Sequence, residues 1–189
     1  RFSPYLPLAV GAARNKDYKK AKQYARKVSE KDHYYLYRAM AIVVANNGDS
    51  KKAEQYAKHP SSNYIDAVAA KAIAISAARE RDYGRAEKNA KPCWYETNII
   101  AELAYAAAEN LDHEQVKKFF TREKLSGEEL NHHFAIGYLK KGLVQKALEH
   151  AERSEDPVET YCKLALMIDG KPDWESPLFN GYESINYLS

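Results

Sequence analysis

Apolar positions along the chain recur at helical spacing inside a longer period. At five places an Ala is followed twelve residues on by a small or aliphatic residue: Ala9 with Ala21, Ala41 with Ala53, Ala74 with Ala86, Ala104 with Val116, and Ala135 with Ala147. The first anchors lie 32, 33, 30 and 31 residues apart, the signature of a repeat array. The residue before each first anchor is apolar (Leu8, Met40, Ile73, Leu103, Phe134), and three residues earlier stand Tyr5, Tyr37, Ala70, Ile100 and Asn131. Within a unit the period is that of a helix: Tyr34, Tyr37, Ala41 and Val44 form one stripe, and Ala53, Tyr56 and Ala57 a second, shorter one that ends at Pro60.

Turn signals separate the two stripes of every unit: "NKDY", "NNGDS", "ERDY", "NLDH" and "KKGL". Asp17, Asp49, Asp82 and Asp112 sit where a second helix should begin, and an Asp there accepts a hydrogen bond from an otherwise unpaired amide. In the fifth unit Gly142 ends the preceding helix instead. Pro60, Pro92 and Pro157 punctuate the joints between units. The pattern predicts an all-α chain of five antiparallel helical hairpins and a sixth opening helix, with units at about 1–31, 32–61, 62–93, 94–126, 127–156 and 157–168. Pro172 and Pro177 forbid a further helix, so residues 169–189, which carry Trp174, Phe179, Tyr182 and Tyr187, are expected to cap the end of the stack.

Composition refines this picture. An apolar fraction of 45% with a mean hydropathy of -0.66 reflects abundant Ala and Tyr, which suits closely packed amphipathic helices. The net charge of +3 is small beside 29 basic and 26 acidic residues, so electrostatics does not make nucleic acid the default partner. The lysines of "KKAKQYAR" (19–26), echoed in "KKAEQYAK" (51–58), fall on the outer faces of second helices, with Ala21, Tyr24, Ala25 and Val28 turned inwards. Cys93 and Cys162 lack paired spacing and are expected to be free, buried thiols. No apolar run reaches the roughly 18 residues of a membrane span, so a soluble chain is expected, with the cytoplasm favoured. Arg1 is not a Met, which leaves room for a removed leader or an upstream domain.

Candidate chemistry is sparse. His132 and His133 are adjacent and point to different faces, and "HEQVK" lacks the second His of a zinc-protease motif. With no Gly-rich phosphate loop and no nucleophile elbow, neither catalysis nor a metal or other cofactor is expected.

Paired small anchors twelve residues apart, an apolar residue before the first and an aromatic three before that resemble the tetratricopeptide-repeat superfamily across residues 1 to about 168. The period is shorter than that family's ~34, and the aromatic after the second anchor is replaced by Ala25, Ala57 and Ala90. The resemblance implies a right-handed α-solenoid whose first helices line a concave groove. On that mapping the groove holds Leu6, Val10 and Arg14; Tyr35, Arg38, Ile42 and Asn46; Val68, Lys71, Ile75 and Arg79; Asn98, Tyr105 and Glu109; and His132, Ile136 and Lys140. Such a groove would take a protein partner's peptide or helix with apolar anchors and acidic residues. The carboxylate clamp of the chaperone-tail binders needs an Asn where Val10 and Ile42 stand, so it is not carried over. Two rival functions remain: an RNA-binding helical repeat, opposed by the apolar groove positions, and a regulatory segment of a larger enzyme.

Overall fold

The computed structural model describes residues 3–58, 66–93, 98–121 and 126–168 of the 189-residue chain. Among these residues the regular structure is eleven α-helices and two short 3-10 turns with no strand, so the chain is all-α. The helices are α1 (Tyr5–Arg14), α2 (Tyr18–Ala25), α3 (His33–Asn46), α4 (Ser50–Ala57), α5 (Ala67–Arg79), α6 (Tyr83–Ala90), α7 (Ile99–Glu109), α8 (His113–Phe120), α9 (Gly127–Lys140), α10 (Val144–Ala151) and α11 (Pro157–Ile168). The expected capping tail and Pro60 lie outside the described residues.

One turn geometry joins the helices of each pair. Lys16, Gly48, Arg81, Leu111 and Gly142 take positive φ values of 59°, 75°, 65°, 57° and 72°, at the same 32, 33, 30 and 31-residue intervals as the Ala anchors. At each, the amide reaches a carbonyl three residues back and the next amide one five back, as in Lys16 N to Ala13 O (3.0 Å) and Asp17 N to Ala12 O (2.9 Å). Arg81 and Asp82 repeat this on Ala78 and Ala77 at 3.0 and 2.8 Å, and Gly142 and Leu143 on Leu139 and Tyr138 at 2.8 and 3.0 Å. This is the Schellman ending, which satisfies the last carbonyls of the first helix. The residue that completes it also opens the second helix: Asp17, Asp49, Asp82 and Asp112 accept the amides of Lys20, Lys52, Arg85 and Gln115. At the fifth turn Leu143 stands in that position and caps nothing.

The chain divides into two compact units, Arg1–Ala106 and Ala107–Ser189. In the first, α1 packs on α2, α3 on α4 and α5 on α6, while α1, α3 and α5 lie side by side and α4 rests against α5. The anchors that make this approach possible, Ala9, Ala21, Ala41, Ala53, Ala74 and Ala86, have no exposed surface, and Leu36, Met40, Val44 and Ile73 fill the space between pairs. In the second unit α9 packs on α10, α11 rests against both, and Ala135, Ile136, Ala147, Ala151 and Leu164 form the core. Gly137 brings α9 onto the end of α7: a Cβ there would lie 2.6 Å from the Glu109 carbonyl and 2.9 Å from that of Ala108.

Leu8 is 48% exposed, whereas its counterparts Met40, Ile73, Leu103 and Phe134 are buried. Two expectations need correction. Tyr34 is also exposed; α3 buries Leu36 and Met40 instead, since it is packed by α1 and α5 as well as α4. Cys93 is buried, with its thiol donating to the Ala67 carbonyl at 3.0 Å, but Cys162 is exposed.

Two substitutions test these features. Leu143→Asp supplies the missing cap at a position already 45% exposed, and is expected to raise stability by about 0.5–2 kcal/mol in denaturant melts. Gly137→Ala drives a methyl into backbone that cannot retreat, and should cost about 1–3 kcal/mol or more by the same measurement.

Candidate functional site

In the first unit the first helices repeat their exposed face in register. Val10, Ile42, Ile75 and Tyr105 occupy equivalent positions on α1, α3, α5 and α7, and all four are partly exposed. Val10 and Ile42 flank the core cluster without being swallowed by it. One helical turn beyond, Arg14, Asn46 and Arg79 are exposed at the C-terminal ends of α1, α3 and α5. At the opposite edge Tyr35 (52% exposed) and Val68 (45%) take equivalent places on α3 and α5. The result is an apolar stripe crossing the helices, edged by two cations and by exposed apolar side chains.

The remaining cations on this face hold the repeats together. Arg38 Nε lies 2.9 Å from Asp66 Oδ1, and Tyr34 donates its hydroxyl to Asp66 Oδ2 at 3.1 Å. Asp66 also caps α5 by accepting the amides of Val68 and Ala69. Burial would raise the Asp66 pKa, but the Arg38 guanidinium, the Ala69 amide and the Tyr34 hydroxyl together hold it below the ordinary carboxylate value. Lys71 Nζ lies a looser 3.9 Å from Glu102 Oε1. Charge reversal at Arg38 therefore strikes a helix cap as well as the face.

In the second unit the expected groove residues are occupied internally. Ile136 is only 8% exposed and belongs to the core, because α11 packs over α9. The His132 and His133 rings, expected on different faces, instead meet edge-on with centroids 5.1 Å apart, though each takes its own polar partners. His133 Nδ1 lies 3.2 Å from Glu109 Oε1, and Lys140 Nζ lies 2.9 Å from Glu109 Oε2. Burial raises the Glu109 pKa, but His133 and Lys140 outweigh it and bring it down to about 2.

His132 is locked between α9 and α11, with Nδ1 2.7 Å from Thr160 Oγ1 and Nε2 3.1 Å from Lys163 Nζ. The ammonium can only donate, so Nε2 must accept and Nδ1 must carry the proton. Thr160 then accepts from His132 and donates to the Asp156 carbonyl at 2.9 Å, while Ser154 donates to that of Ala151 at 2.7 Å. The network is satisfied only by a neutral imidazole. Burial, with Lys163 adding to it, accordingly pushes the His132 pKa down to about 4.

The Arg38–Asp66 clasp was not anticipated. Its signal in the sequence is an acid directly before the first residue of α5, at Asp66. Among the described residues no group of three His, Cys, Asp or Glu side chains is placed to hold a metal, and no helix is long and apolar enough to cross a membrane. Comparison of the chain with protein-family models, curated proteins and solved structures returns no match.

The depressed pKa values of His132 and Glu109 predict stepwise acid sensitivity. The unfolded chain takes up a proton on His132 near pH 6.5 and the folded chain only near 4, so stability falls across that window as pH is lowered, by on the order of 1–3 kcal/mol. Glu109 contributes stability above pH 4.5 that is lost as pH falls towards 2. His132→Asn should shrink the fall across the first window in pH-dependent urea melts, leaving the part that His150, its pKa also lowered by burial, contributes, and leave the second in place.

Proposed function

We propose that the chain is a non-catalytic protein-interaction module of tetratricopeptide-like hairpins, the first unit forming a short right-handed solenoid whose first helices bind a partner's peptide or helix. The observation that carries this reading is the row Val10, Ile42, Ile75 and Tyr105, partly exposed on four successive first helices while the anchors around it are fully buried. A lone exposed apolar side chain needs no explanation, but a row in register across several helices does. The exposed Arg14 and Arg79 beside it favour a partner that brings one or more acids with its apolar anchors. The site lies wholly in the first unit. Lys71 contributes its aliphatic stem, and Arg38 shapes the edge through its clasp on Asp66.

The test uses only exposed positions. A chain carrying Tyr35→Glu, Val68→Glu and Arg79→Glu should keep its helical content and melt within about 1 kcal/mol of the parent. It should lose by at least about tenfold the affinity of partners captured by the parent chain, measured by quantitative affinity capture and then by titration of the captured partner. Equal retention of every captured partner by this variant overturns the assignment.

A further inference from the structure

The outer faces of the second helices carry a second feature, unrelated to the first-helix row. A crevice of about 280 Å³ lies between α2 and α4, lined by Ala25 and by Lys22, Arg26, Lys52, Gln55, Tyr37 and Tyr56. Three of these seven residues are cations and none is an acid, in a chain where the two signs are nearly balanced. Among the described residues neither Lys22 nor Arg26 has an ion-pair partner, and Lys52 Nζ reaches only Gln55 Oε1 at 3.3 Å and the face of Tyr18 at 5.7 Å. The Asp49 carboxylate at the start of α4 is committed to the Lys52 amide and to the Tyr18 hydroxyl.

The next hairpin shows what such a cluster requires. Moving one repeat along, Lys22 becomes Glu54, Arg26 becomes Lys58, Lys52 becomes Arg85 and Gln55 becomes Lys88. There Glu54 gathers all three cations, with Lys58 Nζ at 2.7 Å, Arg85 Nε at 3.3 Å and Lys88 Nζ at 3.3 Å. Between α2 and α4 the position of that carboxylate is held by a third cation. Tyr56, which also lines the crevice, is 6% exposed, and its buried hydroxyl has no hydrogen-bond partner among the described residues. An unsatisfied buried hydroxyl is costly and is open to a partner atom from a ligand or from water.

We propose that the crevice between α2 and α4 is a binding site for a phosphate group, free or as a small phosphomonoester, which takes the place that Glu54 fills between α4 and α6. Lys22, Arg26 and Lys52 neutralise the dianion, Arg26 supplying a forked donor, while Tyr56 donates its phenolic hydrogen from below. A phenol keeps its hydrogen at neutral pH, and burial raises the Tyr56 pKa further. The Tyr37 and Tyr56 rings, stacked with centroids 6.3 Å apart, offer an apolar wall to the organic part of an ester.

The test is titration at low ionic strength with inorganic phosphate and, separately, phenyl phosphate, followed by calorimetry and by NMR shifts of residues in α2 and α4. Saturable binding with a millimolar or tighter Kd is expected, and tighter binding of the ester would mark an organic phosphate as the ligand. Lys22→Glu rebuilds the Glu54 arrangement, so it should abolish binding and raise the melting temperature. Lys19→Glu makes the same change in net charge at an exposed position outside the crevice and should leave binding within about twofold. Arg26→Gln and Tyr56→Phe should each weaken binding by about tenfold with the fold intact. Absence of saturation up to roughly 20 mM phosphate overturns the proposal, as does equal weakening by Lys19→Glu and Lys22→Glu.

Discussion

Close approach of paired helices through alanine is the constraint on which the rest of the first unit depends. Ala9 and Ala21 are fully buried where α1 packs on α2, as are Ala41, Ala53, Ala74 and Ala86 in the next two pairs. Alanine pairs bury little area per residue, so one hairpin could not stand alone. The missing burial comes from Leu36, Met40, Val44 and Ile73, which are completed only when a neighbouring hairpin is in place. Turn geometry follows from the same need. A left-handed residue closes the first helix and the following Asp opens the second within a single residue, which fixes the angle at which the two alanine faces meet. At Lys16, Arg81 and Leu111 a side chain tolerates this conformation at a cost of about 1 kcal/mol, offset by the carbonyls and amides that the turn satisfies.

Polar side chains then fix hairpins to one another. Asn47, just past the end of α3, donates to the Arg14 carbonyl at the end of α1 at 2.7 Å. Glu80, one repeat along, accepts from the amide and hydroxyl of Ser50 at 2.7 and 2.8 Å and so ties the end of α5 to the start of α4. Asp66 joins α3 to α5 through Arg38 and Tyr34. These links set the register between repeats, which packing of small side chains alone would leave loosely specified. Register is what brings Val10, Ile42, Ile75 and Tyr105 into one row, and Lys22, Arg26 and Lys52 into one crevice.

Much of the local architecture was legible from one repeat to the next. The anchors, the four Asp caps, Gly142 and the Pro157 start of α11 are read directly from spacing, because each answers a requirement of the backbone within a few residues. The candidate site was legible only in outline. Arg38 and Lys71 were identified by position, yet their acids, Asp66 and Glu102, lie about thirty residues further on, where helix periodicity carries no pairing information. Ile136 shares its column with Ile42 and Ile75, but α11 covers it. The basic stretches "KKAKQYAR" and "KKAEQYAK" looked equivalent. Their single decisive difference, Lys22 against Glu54, gained meaning from the side chains packed across from each.

By itself the sequence determined what depends on neighbours along the chain: helix or turn, the period, the caps, and which face of each helix is small. Those properties follow from backbone hydrogen bonding and side-chain spacing, which act over one or two turns. Tertiary structure alone decided which charges are spent and which are left to meet a ligand. Coulomb energy and desolvation depend on separations in space across hairpins, so Glu54 is saturated by three cations, Glu109 is held as an anion by His133 and Lys140, His132 is kept neutral by Thr160 and Lys163, and Lys22 and Arg26 face an open crevice.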